Sequence, residues 1–589
     1  MTTLLIHPAD DPEVGPWTSA KWSRIIDLGL GGSKAYERWT DRFGCPVLPI
    51  DGMRRGLEEV YRVRDVIAKG LGKLIDRSGV DWWEMMATDL PGPLEILVLL
   101  RKVAQSLDAN EEVHVTRAGF HASALRQMLG NRVHTFDVAA PSSRGPMRYL
   151  KAARKFPAWQ LLQIFWDKND PDLDIRRRFA RRTRSSDMPV VLIPSGYVNV
   201  TRTGLDYART APGLKFLLVA TRRSAWVEGR PSNVRGEWLA SYAAQRDEGP
   251  LAEYEEILAK WRCLREELET EPEISLAGRL GLLDDFPRYF RVGWKVRGTW
   301  EVVFQRERIQ SVLCADDSNL WTRLPLLLAR KYGVPAVACH HGALDSQRIF
   351  KQNAADVVLT KGDMERDYVV RVCGVPPAEV VVGAPARIGE QKRDLREGAG
   401  GQPLITFFSE PYETFSGRGE EFYRDVLPAL ADLAVQTGKK VVVKLHPAES
   451  RSERDRMIDT LLTTAQREVV RLVEGLTTPE LLKQTWFGIT VLSTVASECA
   501  VAGVPCFLCR WLEFTHHGYG DQFLRFGVGY ELKTPGEIAV IPRIVETHSA
   551  NPGVATAVWQ TIDRAKLEEM LSPRPVLGER VEMEMQRAQ

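Results

Sequence analysis

The chain has 589 residues, 44% hydrophobic and 26% charged, with 79 Lys and Arg against 77 Asp and Glu for a net charge of +2. That balance suits a globular protein and excludes a largely disordered chain, a collagen-like chain and a disulfide mini-protein. At roughly 100–200 residues per domain the length predicts two to four domains, and the near-neutral charge argues against a dedicated nucleic-acid binder, which would be strongly basic.

No apolar stretch approaches the ~20 residues a spanning helix needs; the most apolar run is Ile96–Leu100. The start, Met1-Thr2-Thr3-Leu4-Leu5-Ile6-His7-Pro8, has neither the basic n-region nor the apolar core of a secretory signal. The eight cysteines are scattered, which predicts buried, reduced thiols. Cys506 and Cys509 form one CxxC, a weak zinc signal without a second pair. No metal cluster is expected, and a cytoplasmic location follows.

Short β-branched runs alternate with helical patterns, which predicts parallel α/β sheets. The first strands expected are Leu4–His7, Val113–Arg117, Val133–Phe136, Val190–Pro194 and Phe216–Thr221. From Arg144 to Arg184 there are twelve Lys and Arg against four Asp, with Trp159, Phe165 and Trp166 among them. This basic stretch suits an anionic membrane surface or polymer, or a solvated helical insertion. Residues 237–270 read as one or two helices, with Leu251, Tyr254, Ile257, Leu258 and Trp261 as a core face. Further strands are expected at Ser311–Ala315, Ala336–Cys339, Val357–Thr360 and Val380–Val382.

The segment Arg396–Pro403 is glycine-rich and ends in proline, the best linker candidate. A new series follows: Leu404–Phe408, Val441–Leu445, Val469–Val473, Ile489–Leu492 and Pro505–Cys509. The organisation expected is an N-terminal Rossmann-like unit over 1–396 with the basic insertion near 144–184, and a linker over 397–403. A C-terminal Rossmann-like unit over 404–560 follows, then a helix and tail over 561–589. Ligands in doubly wound sheets bind beyond the carboxyl ends of the strands.

Four strand ends carry chemistry. After Ser311-Val312-Leu313 come Cys314-Ala315-Asp316-Asp317-Ser318-Asn319. Either Asp316 or Asp317 is a candidate general base, since adjacent carboxylates raise one pKa, and a plain helix N-cap is the alternative. Ala336–Cys339 runs into His340-His341-Gly342, of which one ring continues the strand's direction and can meet a phosphate or move a proton. Val441–Val443 leads to Lys444-Leu445-His446-Pro447, a cationic pair at a strand end that suits a diphosphate or carboxylate. Ser493-Thr494 precede a helix whose N-terminus favours anions, and Glu498 lies a turn into it, placed for a ribose or as a capping-box partner.

The succession His341-Gly342, Ala355-Asp356…Leu359…Gly362, Val381…Gly383…Pro385…Arg387, Lys444…His446-Pro447 and Ser493-Thr494…Glu498…Gly503…Pro505 resembles the C-terminal two-thirds of GT-B glycosyltransferases of bacterial surface polymers. It looks most like capsular polysaccharide transferases that use CMP-activated acidic sugars (Kdo or sialic-acid-like). CDP-glycerol glycerophosphotransferases and nucleotide-sugar 2-epimerases share parts of the pattern. The resemblance covers about residues 310–510. It implies two Rossmann-like domains facing across a cleft, with His446 and Lys444, Ser493 and Thr494 holding the donor phosphate. It further implies Glu498 near the ribose, His341 as a functional histidine, and Ser409-Glu410-Pro411 lining the nucleotide site. The Gly-Ala-Pro-Ala-Arg stretch carries one residue more between Pro385 and Arg387 than the usual form.

The activity expected is an inverting, metal-independent glycosyl transfer without a cofactor. It would run from a nucleotide sugar, CMP-linked by preference, to a glycan or lipid-linked glycan, with Asp316 or Asp317 as the base. The alternatives are a CDP-glycerol or ribitol-type phosphotransferase, a UDP-sugar epimerase, and a GT-B-like polymer-binding scaffold without turnover.

Overall fold

The computed structural model describes residues 1–7, 10–28, 33–49, 57–86, 89–136, 187–243, 251–386, 403–410, 419–446, 449–473, 478–512 and 517–573. The basic segment 144–184, the linker 397–403 up to residue 402, and Arg387, Pro411, Pro447 and His516 lie outside them.

Among the described residues eighteen strands form three sheets, and every strand pair within them is parallel. The first sheet has five strands in the order β3-β2-β1-β4-β5: β1 (Thr2–Ile6), β2 (Arg24–Asp27), β3 (Val47–Pro49), β4 (Glu112–Val115) and β5 (Val133–Thr135). The second has seven in the order β12-β11-β10-β9-β6-β7-β8. Its members are β6 (Val190–Ser195), β7 (Phe216–Ala220), β8 (Val234–Trp238), β9 (Ile309–Cys314), β10 (Ala336–Cys339), β11 (Val357–Thr360) and β12 (Val380–Val382). The third has six in the order β15-β14-β13-β16-β17-β18: β13 (Leu404–Phe408), β14 (Lys440–Lys444), β15 (Val470–Val473), β16 (Thr485–Thr490), β17 (Cys506–Cys509) and β18 (Tyr530–Leu532). The doubly wound α/β class expected from the sequence is the class observed.

Residues 1–396, read above as one unit, thus carry two separate sheets. The compact units are also discontinuous: residues 1–63, 92–142 and 389–559 form one, and 64–91, 143–388 and 560–589 the other. Strand runs in a sequence do not disclose which strands share hydrogen bonds, and β2, β3 and β8 are short runs that the pattern did not single out. The C-terminal segment returns to the seven-stranded sheet. The Ala384 N–H donates to the Gln560 carbonyl at 2.6 Å and the Ile562 N–H to the Ala384 carbonyl at 2.8 Å. Ile562, Leu567 and Leu571 are buried in that sheet's core.

Parallel strands covered on both faces need apolar side chains on both. Val190–Ser195 and Phe216–Ala220 are buried at every position, as are Leu404–Phe408. The six-stranded sheet packs Phe407, Val441, Val443 and Ile489 against Phe422, Val426, Leu427 and Leu430 of the helix Gly419–Thr437. The polar stretch 237–270 resolves into the helices Leu239–Ala243 and Leu251–Leu268. In the longer one Ile257, Trp261, Leu264 and Leu268 are buried, while Tyr254 and Leu258 are half-buried. Cys506 and Cys509 are both buried on β17. Being three apart on a strand they point to opposite faces, so they cannot ligate one ion. Among the described residues no helix is long and apolar enough to cross a membrane.

Candidate active site

In each of the two larger sheets the chain starts at an inner strand and winds outward in both directions. This leaves a switch point between β6 and β9 in the seven-stranded sheet and between β13 and β16 in the six-stranded one. There the loops beyond the carboxyl ends diverge, and doubly wound folds bind ligands at that place. The residues expected to do chemistry fall on these loops.

At the β6/β9 switch, Tyr197 follows β6, Asp316 and Asp317 follow β9, and His340 and His341 follow β10. The Tyr197 hydroxyl lies 3.2 Å from Asp316 Oδ2, and 3.1 and 3.2 Å from the two ring nitrogens of His341. The rings of Tyr197 and His341 meet edge to face with centroids 5.2 Å apart. Asp316 Oδ1 accepts the Ser318 N–H at 3.0 Å and Oδ2 the Asn319 side-chain amide at 3.2 Å. Asn319 caps the helix Leu320–Lys331, its Oδ1 accepting the Trp321 and Thr322 N–H groups. The N-cap role weighed for this cluster therefore belongs to Asn319, which frees Asp316 for the site.

Of the two histidines, His341 is the one that meets Asp316's neighbourhood. His340 instead accepts the Gly342 N–H on Nδ1 at 3.2 Å. Burial holds both imidazoles below their usual range; for His340 the neighbouring His341 adds to the effect, and for His341 the Asp316 charge works against it. A neutral His341 at pH 7 can accept a proton. Burial, then the Asp316 charge, pushes the Tyr197 phenol up, so it stays a donor. Tyr197 was not expected from the sequence; its signal was the same as for the other clusters, a polar residue just past a buried strand.

Asp317, expected as an alternative base, is not available for that role. Its carboxylate is 1% exposed and bonded to Lys351 Nζ at 2.7 Å, Arg323 Nη1 at 2.7 Å and Arg348 Nη2 at 3.3 Å. Burial opposes its ionisation, but Lys351, Arg348 and Arg323 outweigh that and hold the carboxyl far below the usual range. Arg323 also pairs with Glu84, and Lys351 and Arg348 with Asp345, at 3.3 and 3.4 Å. Three buried cations thus balance three buried carboxylates under the loop that carries Asp316. Adjacent residues divide into one that faces the site and one that anchors it.

Asp316, His340 and His341 each offer a ligand atom within 4.8 Å of the others. This donor set is of the kind a divalent transition metal takes. Asp316 is already engaged by Tyr197, Ser318 and Asn319, and His340 by Gly342.

At the β13/β16 switch, Lys444 ends β14 with Nζ 3.4 Å from the Leu445 carbonyl, and His446 follows two residues on. Burial, then Lys444, lowers the His446 pKa. Glu449 sets the turn: its carboxylate accepts the His446 N–H at 2.8 Å, the Ser409 hydroxyl at 2.7 Å and Arg454 Nε at 2.8 Å. Ser409 is also 2.7 Å from the Tyr423 hydroxyl, and Glu410 accepts Thr490 Oγ1 at 2.9 Å and the Leu492 N–H at 3.2 Å. Both residues thus tie the strand ends together, a scaffolding role that their position alone did not disclose. Ser493 and Thr494 lead into the helix Val495–Ala502; the Thr494 side chain does not cap it, and Ser493 Oγ accepts the Val495 N–H only at 3.4 Å. The positive end of its dipole favours an anion there. Glu498 lies in its first turn and forms no capping box with Thr494. Gly503 ends the helix at φ +67°, a left-handed conformation that only glycine adopts cheaply.

No family model matches this sequence, and no curated protein matches it. Solved structures similar to it include S. aureus MnaA with UDP, 12% identical over 64% of this chain and 92% of that one, with a TM-score of 0.38. The UDP-GlcNAc 2-epimerase of Methanocaldococcus jannaschii is 11% identical over 65% and 97%, with a TM-score of 0.41. Acinetobacter baumannii MurG is 12% identical over 65% and 98%, with a TM-score of 0.38. At these identities and scores no residue role passes from them to this chain.

Proposed function

We propose that the protein transfers a glycosyl group from a nucleotide-activated sugar to a hydroxyl of a glycan or glycolipid. The observation that carries this is the chemistry beyond the carboxyl ends of β14 and β16, the two strands that flank β13: Lys444 and His446 at the one, Ser493 and the N-terminus of the helix Val495–Ala502 at the other. Such a set binds a phosphate and stabilises its charge as it leaves. The β6/β9 switch supplies the other requirement of an inverting transfer, a neutral imidazole that takes the acceptor's proton. His341 is that base, with Asp316 sustaining its charge. The motif order from His341-Gly342 to Ser493-Thr494 favours a CMP-linked acidic sugar as donor and a bacterial surface polymer as acceptor.

Thermal shift against CMP, CDP and UDP tests the donor class. Stabilisation by CMP that is lost in His446→Ala and Ser493→Ala supports the reading. Stabilisation by UDP alone replaces the CMP donor with a UDP sugar and brings epimerisation forward, and stabilisation by none of the three overturns the reading.

A further inference from the structure

The five-stranded sheet carries neither of the two switch points described above, and it is wound in the same way. From the inner strand β1 the chain runs outward through β2 and β3, then crosses to the other side of β1 for β4 and β5, so its own switch lies between β1 and β4. Doubly wound sheets bind ligands beyond the carboxyl ends at that place. His7 and Asp10 follow β1 there, and Arg117, Gly119 and His121 follow β4. The rings of His7 and His121 meet edge to face with centroids 5.3 Å apart. Asp10 is turned inward, with a fully buried side chain: Oδ2 accepts the His7 N–H at 2.8 Å, and Oδ1 accepts Arg117 Nε at 2.8 Å and pairs with Nη2 at 2.6 Å. The carboxylate thereby fixes the arginine and cancels its charge. Among the described residues, Arg117 Nη1 and the ring nitrogens of His7 and His121 make no hydrogen bond. Gly119 has open space where a Cβ would stand, and the helix Phe120–Leu129 that follows it has neither a capping side chain nor an acid in its first turn.

Two imidazoles largely withdrawn from water and without a partner cost folding free energy that a ligand can return. Burial holds His121 down to about 4, and His7 adds to the effect; burial also lowers His7, with the Asp10 charge working against it and the Arg117 charge with it. These are the charged and titratable groups that face the two rings. With both rings neutral and Asp10 set against Arg117, the cluster carries no net charge, so an anion gains by protonating an imidazole as it binds. We infer that the β1/β4 switch binds the phosphate of a small phosphorylated molecule, at a site separate from the nucleotide-sugar chemistry of the other two sheets. The phosphate oxygens accept from His7, His121 and Arg117 Nη1, at the positive end of the helix Phe120–Leu129. A metal ion is the poorer occupant, because Asp10 is spent on Arg117 and that cation stands beside the rings. No covalent bond is made or broken, and the site stands whether or not the protein transfers a sugar.

The test uses the full chain carrying His446→Ala and Ser493→Ala, so that phosphate bound at the six-stranded sheet does not contribute. Its histidines are labelled with carbon-13 and followed by NMR as glycerol 3-phosphate is added at constant ionic strength. The His7 and His121 signals are assigned by their loss in His7→Gln and His121→Gln. Both signals should move together over one millimolar range, and the His7 midpoint should rise by about one pH unit, the worth of one hydrogen bond to a charged group. Calorimetry should give an affinity about tenfold higher at pH 5.5 than at pH 7.5, and His121→Gln should flatten that dependence. Signals that stay in place with glycerol 3-phosphate, or that move equally with potassium chloride, overturn the site. Vesicles containing phosphatidate present the same group on a lipid. Movement with them and not with glycerol 3-phosphate overturns the small ligand in favour of a headgroup. If His121→Gln fails to fold, His7→Gln takes its place in the calorimetry, and the two signals of the parent protein decide the binding.

Discussion

Asp316 and Asp317 are neighbours in sequence, yet substituting each should fail in a different way. Asp317 belongs to a buried set of six charges in which Arg323, Arg348 and Lys351 face Asp317, Asp345 and Glu84. Asp317→Ala removes one carboxylate and leaves a net positive charge among groups that are 7% exposed or less. Each ion pair that it breaks carries about 5–6 kcal/mol of gross attraction at an effective dielectric of 20. Much of that is offset by the cost of burying the charges, so breaking such a pair costs about 3–5 kcal/mol net. Asp316→Asn keeps the shape but turns one of two accepting oxygens into a donor, and should cost about 1–2 kcal/mol while abolishing most turnover. Urea unfolding followed by circular dichroism, together with donor consumption, reads both. A compensating variant sharpens the comparison: Asp317→Asn with Lys351→Met removes one charge of each sign and should recover at least half of the lost stability. The reasoning is refuted if Asp317→Ala unfolds at the wild-type midpoint, or if Asp316→Asn is the less stable of the two.

The same network has a pH signature. Asp345 is held down to about 2 against an ordinary 3.8, because Lys351, His340 and Arg348 outweigh the burial that would raise it. Its folded pKa is therefore below its unfolded one. Its contribution, roughly 2 kcal/mol, is complete above about pH 4 and should be lost as pH falls toward 2, with Asp317 following lower still. Acid unfolding of Lys351→Met should therefore occur at a higher pH than in wild type. Nucleotide binding has the opposite sense. His446 protonates only below its usual 6.5, so affinity for CMP or UDP measured by calorimetry should rise about tenfold between pH 7.5 and 5, and His446→Gln should flatten the profile. Glu449→Gln, which weakens the clamp on the His446 N–H and leaves Arg454 short of a charge, should weaken nucleotide binding about tenfold while Lys444 remains in place. Dialysis against EDTA should leave transfer unchanged; a loss restored by one equivalent of zinc would make the Asp316, His340 and His341 cluster a metal site instead.

Much of this was legible in the chain. Alternating β-branched runs and helical stretches announced parallel sheets, because a strand covered on both faces must be apolar throughout, as Leu404–Phe408 is. Glycine and polar residues just past those runs marked the loops where ligands bind, so His341, Lys444, His446 and Ser493 could be singled out by position. The strand assignments at Ala336–Cys339, Val357–Thr360 and Val380–Val382 match the observed ones residue for residue. What the linear pattern does not carry is which strand end lies beside which. Only the sheet order put Tyr197, from the end of β6, next to Asp316 and His341, 119 and 144 residues away. Only packing separated Asp316 from Asp317: both are buried, but one meets Tyr197, Ser318 and Asn319 and the other three cations, with no mark of this in the sequence. Ser409 and Glu410 were visible as polar groups at a strand end, but whether they meet a ligand or a neighbour depends on Glu449, Tyr423 and Thr490. Residue type and spacing therefore determined the chemistry on offer and the sheets that carry it. Long-range hydrogen bonding and burial, which involve partners distant in sequence, decided which of those groups are spent on the scaffold and which remain for a substrate.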